Sequence, residues 1–474
     1  MNALLAALSV ALGAAVALSV RGGASAVVLC AAFALLAGGV VAQAEERQRG
    51  FLLRIFVGAL LVRMLIGTLI NVFGLQEFFG GDAFTYDTYG MALLGSWRGA
   101  PWPTELSDWA RAGGGWGMPY LVAFVYALAG RNMLAAQFLN AVIGAATAPV
   151  IFLCARHIFQ NLRVAKLAAI CVAFYPSLVL WSSQELKDGP IVFLLAASML
   201  ATLKLGERFS AKYLVALMLA MFALITLRFY VFYMVAAAVG GAFVIGMRPL
   251  TSQSLARQFV IIVALGLGLT YLGVLRTAGT QLETFSDLSV VQRSRADLAQ
   301  SAKSGFGKDV DVSTAEGALS AIPIGITYLL FAPFPWQVAN LRQSITLPEM
   351  VVWWCSFPLL VIGIWYTLRY RMRQALPILI FTSMLTLAYS IFQGNIGTAY
   401  RQRSQILVFY FIFVAVGAVL LKERHEDRRR QNALAKRSVV EAARAAAAAR
   451  RRSRRERAGA LSPVANNLSE RADF

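Results

Sequence analysis

The stretch FLLRIFVGALLVRMLIGTLINVF, residues 51–73, is long and apolar enough to cross a lipid bilayer as a single helix. A hydrocarbon core about 30 Å thick needs about 20 predominantly apolar residues in helical form. Similar runs recur along nearly the whole chain, separated by short polar or charged breaks. They do not alternate as the strands of a membrane β-barrel do, so the sequence predicts an all-α polytopic membrane protein.

Composition supports a membrane protein and disfavours several kinds of site. Hydrophobic residues occupy 58% of the 474 positions and charged residues only 14%, and the mean hydropathy is +0.64. A soluble domain is about 45–50% apolar and about 25% charged. The four cysteines lie inside apolar runs, which favours small hydrophobic side chains over a disulfide or metal framework. With only two histidines, His-dependent catalysis and His-rich metal sites are disfavoured.

The apolar runs predict about twelve transmembrane helices. Lys and Arg residues in the short breaks alternate as twelve spans require, so the basic breaks and both termini are predicted to be cytoplasmic. The predicted spans are residues 3–20, 24–43, 51–73, 133–157, 164–181, 189–204, 211–227, 229–247, 258–275, 347–368, 375–392 and 404–421.

Two long outer loops, residues 74–132 and 276–346, follow from this topology. Each contains an apolar piece, residues 118–130 and residues 321–336, which we interpret as interfacial helices rather than spans. The predicted organisation of the chain is two extra N-terminal transmembrane helices (1–50), a transmembrane catalytic domain (51–421) and a basic cytoplasmic tail (422–474).

The formal net charge of +20 comes largely from the tail. Basic residues beside membrane spans mark the cytoplasmic side and attract anionic lipid headgroups. No base-reading or aromatic-stacking module accompanies the charge, so we predict contact with membrane lipids and no nucleic-acid partner.

Carboxylates immediately follow the third predicted span, in FGGDAFTYDTYG, residues 79–90. Asp82 is either a helix cap after the Gly-Gly turn or a catalytic carboxylate at the membrane surface. Asp87 is predicted to be a solvated position on the same helix. We therefore take Asp82 as the catalytic candidate.

The stretch YPSLVLWSSQELKDGPIVF, residues 175–193, concentrates Glu185, Lys187 and Asp188 in a short outer turn. These charges belong either to an ordinary polar hairpin with Pro190 in the first turn of the next helix, or to a site. As a site, the turn would supply a second acidic residue to partner Asp82, or a cation for a phosphate group.

Several outer-face arginines are candidates for substrate contact. Arg228 separates two apolar runs, and Arg401 and Arg403 lie in the short turn GNIGTAYRQRSQ, residues 394–405. Arginine suits bidentate phosphate binding, although an isolated interfacial arginine more often extends to the membrane surface. In the second long loop, Arg293, Arg295 and Trp336 belong either to an acceptor-binding lid or to a surface loop.

These motifs resemble the GT-C membrane glycosyltransferases, which use sugars carried on polyprenyl phosphate. The resemblance runs over residues 51–421: a span followed by GGDAFTYDTYG, the stretch beginning GMPYLVAFVYALAG, the turn YPSLVLWSSQELKD and the late GTAYRQRSQ. The chain is similar to bacterial relatives of protein O-mannosyltransferases, to the aminoarabinose transferases of lipid A and, more distantly, to oligosaccharyltransferases.

The resemblance implies a hexosyl- or pentosyltransferase of cell-envelope glycan assembly, with its active site on the outer face of the inner membrane. It implies Asp82 as the catalytic carboxylate and Asp188 or Glu185 as the second acidic group. Lys187, Arg228, Arg401 and Arg403 would bind the donor phosphate, and a Mg²⁺ or Mn²⁺ ion could take part. The acceptor would be a glycan, a lipid or a protein. Mannosyltransferase relatives have an Asp-Glu pair where this chain has Asp82 and Ala83.

Alternatives from other classes remain open on the sequence. An O-antigen ligase or polymerase would depend on outer arginines rather than on Asp82. A polysaccharide or lipid transporter would place charged residues at mid-membrane depth, where this chain has few.

Overall fold

The computed structural model describes residues 3–111, 115–246, 251–274, 279, 287–300, 304–338 and 340–469. Among these residues the secondary structure is helical, apart from one isolated antiparallel bridge between Gly305 and Asn395. The chain divides into two compact units, Met1–Gly417 and Ala418–Phe474. The predicted all-α class is confirmed.

The helices are numbered here along the part of the chain that the structure describes. They are α1 Ala3–Ser19, α2 Gly23–Ala44, α3 Arg49–Val72, α4 Gln76–Gly80, α5 Asp82–Trp97, α6 Thr104–Arg111, α7 Gly117–Ala129, α8 Met133–Phe159, α9 Leu162–Phe174, α10 Pro176–Ser182, α11 Asp188–Glu207, α12 Ala211–Leu227, α13 Phe229–Ile245, α14 Ser252–Tyr271, α15 Leu288–Gln300, α16 Ala315–Phe331, α17 Leu341–Tyr370, α18 Met372–Phe392, α19 Ile396–Gln402 and α20 Ser404–Ser469. Two short 3₁₀ turns, Glu46–Gln48 and Pro335–Gln337, precede α3 and α17.

Eight helices among the described residues are long and apolar enough to cross a membrane. The pair α9 and α10, bent by 54°, makes a ninth if it counts as one broken span. The other three predicted spans form α1, α12 and α13, which have 17 residues each and are too short to be counted with the eight. The multi-pass architecture is therefore confirmed, whereas the number twelve is not.

Helix α8 lies at the centre of the first unit and packs against α2, α3, α9 and α11. Its sequence is apolar on all sides and rich in alanine, and most of its residues are buried. Small residues let neighbouring helix backbones approach closely, which favours helix packing inside a membrane. A helix that is hydrophobic all round is expected at such a buried position.

Chain direction places the predicted polar turns at one end of this bundle. Helix α11 begins at Asp188 and is followed by Arg208, and α12 returns along the chain to Arg228. Arg228 is therefore at the same end as Asp188, and the basic break around Arg208 is at the other. Both apolar pieces of the long loops form helices, α7 and α16.

Candidate active site

One arginine joins the two carboxylates that the sequence singles out. Arg401 donates a 2.7 Å hydrogen bond from Nη1 to Asp82 Oδ2 and another of 2.7 Å from Nε to Asp188 Oδ2. Its Nη2 also lies 2.6 Å from Asp188 Oδ2. Arginine presents several donors in a fixed planar fork, so one guanidinium can orient two carboxylates at once.

Each of the two carboxylates is on the first residue of a helix. Asp82 begins α5 and Asp188 begins α11, where the free N–H groups of the first turn favour negative charge. The cap position before α5 is held by Gly81, and no side chain caps the helix. The Asp82 side chain is 53% exposed, whereas that of Asp188 is fully buried. Only Asp82 therefore offers an open face to a substrate.

Arg228 lies in the extended link between α12 and α13 and is buried against Asp188. Its Nη2 is 3.5 Å from Asp188 Oδ1, and its guanidinium lies over the ring of Tyr230. Burial acts to lower the pKa of Arg228, but Tyr230 and Asp188 act to raise it and prevail. The guanidinium therefore stays charged beside the Asp188 carboxylate.

Lys187 directly precedes Asp188 and is partly exposed. Burial and then the neighbouring charge of Arg228 lower its pKa to about 8. The first long loop packs closely here: a Cβ on Gly115 would lie 2.9 Å from Lys187 Nζ and 2.3 Å from the carbonyl oxygen of Leu227. Glycine at this position lets the loop backbone reach the residues beside Arg228.

A second pair of acidic residues, Asp87 and Glu185, lies on either side of the Tyr126 hydroxyl. Tyr126 donates a 2.6 Å hydrogen bond to Asp87 Oδ1, and its hydroxyl lies 3.5 Å from Glu185 Oε2. Arg131 binds the other side of Asp87, with Nη2 2.5 Å from Oδ2. The prediction that Asp87 is solvated is wrong, because Asp87 is only 6% exposed.

The burial of Asp87 follows from the packing of α7 on α5. A Cβ on Gly90 would lie 2.5 Å from Val122 Cγ1, so the glycine lets the two helices approach closely. This contact places Tyr126, one turn after Val122, against Asp87. Neither Tyr126 nor Arg131 was a sequence candidate. Tyr126 lies within the apolar sequence of α7, and Arg131 lies just after that helix.

Buried polar side chains fix the turn between α10 and α11. Asn140 donates 2.7 and 2.8 Å hydrogen bonds to the carbonyl oxygens of Gln184 and Leu186. Arg63, within α3, donates a 2.7 Å hydrogen bond to Ser182 Oγ. Sequence reasoning did not select these residues, although a charged residue inside an apolar run is a known signal.

Arg403 lies apart from this cluster. It is fully buried and donates hydrogen bonds of 2.9 and 3.1 Å to the carbonyl oxygens of Leu330 and Ala332, at the end of α16. Its guanidinium also lies over the ring of Tyr400. The structure therefore gives Arg403 a place in helix packing rather than beside Asp82.

The second long loop supports the segment that leads to Arg401. Arg295, predicted for the acceptor loop, is buried and donates two 2.7 Å hydrogen bonds to the carbonyl oxygens of Ile391 and Gln393. Arg293 is exposed, and Trp336 is 77% exposed and stacks on Phe334 at 5.2 Å. Of the three acceptor-loop candidates, only these last two are free to meet a ligand.

The described residues contain no group of three or more His, Cys, Asp or Glu side chains placed to hold a metal ion. Asp82 and Asp188 face the guanidinium of Arg401, with Arg228 and Lys187 adding positive charge nearby. Both carboxylates are already bound to a guanidinium, and the positive charge around them opposes the approach of a divalent cation. The residues present do not fit such an ion, and its involvement remains a prediction.

A protein-family model matches the part of the chain that contains the turn before α11. The family model for dolichyl-phosphate-mannose-protein mannosyltransferase matches residues 115–272. This range includes Glu185, Lys187, Asp188 and Arg228, and leaves out Asp82 and Arg401. No curated protein sequence matches the chain.

Two solved structures are similar at low identity. ArnT from Cupriavidus metallidurans bound to undecaprenyl phosphate is 15% identical with a TM-score of 0.42, over 63% of this chain and 49% of that one. The oligosaccharyltransferase of Archaeoglobus fulgidus in the apo form is 13% identical with a TM-score of 0.45, over 80% and 52%. The chain thus spans about half the length of each. The predicted resemblance to GT-C glycosyltransferases is confirmed by the family-model match.

Proposed function

We propose that the chain is a membrane glycosyltransferase that transfers a sugar from a polyprenyl-phosphate donor, with inversion, to an acceptor hydroxyl. The observation that carries the proposal is the position of Arg401 between Asp82 and Asp188, with Arg228 beside Asp188. The reaction needs a base for the acceptor hydroxyl and positive charge for the departing phosphate. A half-exposed carboxylate next to several cations can supply both. The match of residues 115–272 to a mannosyltransferase family model supports it.

The cationic side chains would bind the donor phosphate, which becomes the leaving group. Its negative charge grows as the bond between the anomeric carbon and the phosphate oxygen breaks. Arg401 and Lys187 stand beside Asp82, and Arg228 fixes Asp188 from the other side. Asp188 is fully buried and paired, so its task would be to orient these cations rather than to meet the sugar.

Asp82 would accept the proton of the acceptor hydroxyl as that oxygen attacks the anomeric carbon. The new glycosidic bond forms, the phosphate leaves with the bonding electron pair, and the configuration inverts in this single displacement. In this structure Asp82 is held by Arg401 Nη1. A phosphate that drew this Nη1 to itself would free the Asp82 carboxylate for the acceptor.

We place the reaction at the outer face of the inner membrane, in cell-envelope glycan assembly. Nucleotide sugars are not supplied there, and a polyprenyl phosphate presents its charged group at the interface. The basic break around Arg208 lies at the end of the bundle opposite to Asp188 and Arg228, and basic loops favour the cytoplasm. The acceptor would be a glycan, a lipid or a protein.

Reconstitution in liposomes tests the proposal directly. Liposomes carrying the full chain would be supplied with radiolabelled polyprenyl-phosphate hexoses and pentoses and with extracted envelope glycans and lipids. We expect labelled product and an equal amount of released polyprenyl phosphate. Movement of intact donor across the bilayer without cleavage of the sugar–phosphate bond would contradict the proposal and support a transporter.

A further inference from the structure

Helix α5 and the turn at the start of α11 each carry two acidic residues, and these four residues form two linked pairs. Asp82 and Asp87 lie on α5, and Glu185 and Asp188 lie in or next to the turn before α11. Asp82 and Asp188 meet through Arg401, whereas Asp87 and Glu185 meet through Tyr126. The first link includes an exposed carboxylate, and the second is buried.

The link through Tyr126 brings two carboxyl groups together without a cation between them, unlike the link through Arg401. Glu185 is completely buried, and its Oε1 has no hydrogen-bond partner. The titratable groups that face it are Asp87, Tyr126 and Arg131, and Arg131 is bound to Asp87. An ionised Glu185 would therefore lie unpaired beside a second carboxylate, which is strongly unfavourable away from water.

The hydrogen-bond geometry indicates where a proton would resolve this conflict. Tyr126 has a single hydroxyl proton, and its short 2.6 Å contact commits that proton to Asp87. The same hydroxyl oxygen keeps its lone pairs, so a proton on Glu185 Oε2 can be donated to it. Asp87, paired with Arg131, then remains the ionised partner. Burial and then the charge of Asp87 raise the pKa of Glu185 well above its usual range, which agrees with this assignment.

We propose that Asp87 and Glu185 carry one proton between them, held on Glu185 and bonded through Tyr126, and that this pair, with its single negative charge balanced by Arg131, positions Asp82 and Asp188. Glu185 is then a positioning residue rather than a metal ligand or second catalytic carboxylate. The positioning role rests on the proposed transferase function, whereas the shared proton does not. The two statements can therefore fail separately.

Infrared spectroscopy of the purified full chain tests the proton without any substrate. A protonated carboxyl group has a C=O stretch distinct from that of a carboxylate. We expect this band at neutral pH in the wild type and in a Glu105→Gln control, which removes an exposed carboxylate of the first long loop, and its loss in Glu185→Gln. All proteins are compared in a Glu349→Gln background, which removes the buried carboxyl group of α17. In Asp87→Asn the band should titrate at lower pH, since the neighbouring negative charge is gone. A band that survives Glu185→Gln, or is missing from the wild type at neutral pH, would overturn the assignment.

Kinetics with a polyprenyl-phosphate-linked sugar tests the positioning role. Glutamine mimics neutral Glu185, so Glu185→Gln should keep kcat within about threefold, whereas Glu185→Leu and Tyr126→Phe should lower kcat by about 10- to 100-fold. Undecaprenyl phosphate affinity should change less than about threefold, because the cationic side chains remain. Equal kcat loss in the glutamine and leucine variants, with folding intact, would reject positioning by a neutral Glu185. Absence of transfer by the wild type would count against the transferase function and leave the infrared result standing.

Discussion

Arg401 forms an ion pair with the fully buried Asp188, 213 positions away, with Nε 2.7 Å and Nη2 2.6 Å from the same carboxylate oxygen. Taking two charges out of water is costly, and removing one partner of such a pair costs about 3–5 kcal/mol. The same guanidinium reaches Asp82. The pair therefore fixes the shape of the candidate site before any substrate arrives, which lowers the cost of organising it during the reaction.

Replacing Arg401 with lysine should impair transfer and stability together. An ammonium group is a point charge and cannot hold Asp82 and Asp188 at once as the planar fork does. We expect at least a tenfold lower kcat and a lower unfolding temperature, measured by transfer assay and by thermal melting in detergent. Arg98 is an exposed arginine of the first long loop, so Arg98→Lys is the matched control and should change neither. Full activity of Arg401→Lys would show that the bridge is dispensable.

Asp82→Asn should slow the transfer step without weakening the binding of the polyprenyl phosphate. The amide cannot accept the acceptor proton, so kcat should fall by about 100-fold or more. Affinity for undecaprenyl phosphate should be kept or improved, because Arg401 loses one anionic partner and can turn to the phosphate. Glu105→Gln controls for removal of an exposed carboxylate. Normal transfer by a folded Asp82→Asn protein would favour the O-antigen ligase or polymerase reading, which relies on arginines.

Lys187 should make phosphate binding depend on pH above neutrality. Its pKa is lowered to about 8, so the side chain is charged below that pH and loses its proton as the pH rises through it. Binding of undecaprenyl phosphate, measured by calorimetry, should weaken between pH 7 and about 9.5. The arginine in Lys187→Arg stays charged over this range, so that variant should bind with little dependence on pH. An unchanged slope in the variant would assign the titration to another group.

Much of the helical framework was predictable because long apolar runs have few alternatives to a membrane helix. The alternation of basic breaks also predicted that Asp82, Asp188, Arg228 and Arg401 belong to one end of the bundle, and the structure brings these four together. The number of spans was not predictable, because helices of 17 residues are near the length limit for crossing.

The remaining features depend on packing that sequence patterns do not encode. Arg401 and Arg403 look equivalent in the sequence, yet two residues along a helix turn a side chain by about 200°. They consequently face Asp82 and the carbonyl groups ending α16, respectively. Asp87 looked solvated because its burial depends on the packing of α7 against α5, and the approach of α7 depends on Gly90.

Arg403→Met should therefore affect stability and not phosphate affinity. The arginine donates to the carbonyl oxygens of Leu330 and Ala332. Trp353 Nε1 also donates to Leu330, but the buried carbonyl oxygen of Ala332 would lose its donor, which costs about 1–3 kcal/mol. We expect a lower unfolding temperature, with undecaprenyl phosphate affinity of the folded fraction within about twofold of the wild type. Arg369→Met, exposed near the end of α17, is the control. A tenfold loss of affinity at unchanged stability would return Arg403 to the phosphate site.

Arg63→Lys tests whether the arginine buried in α3 supports the candidate site by holding α9 and α10 in place before Asp188. Arg63 donates to Ser182 Oγ at 2.7 Å and to the carbonyl oxygen of Ala173 at 2.8 Å, in the last turn of α9 where carbonyls lack partners within the helix. Lysine cannot reach both, so the turn before Asp188 should loosen. We expect a lower unfolding temperature and a several-fold lower kcat, while Arg54→Lys on the exposed side of the same helix should match the wild type. If Arg63→Lys instead retained transfer and stability but altered donor movement across liposomes, Arg63 would belong to a transport path.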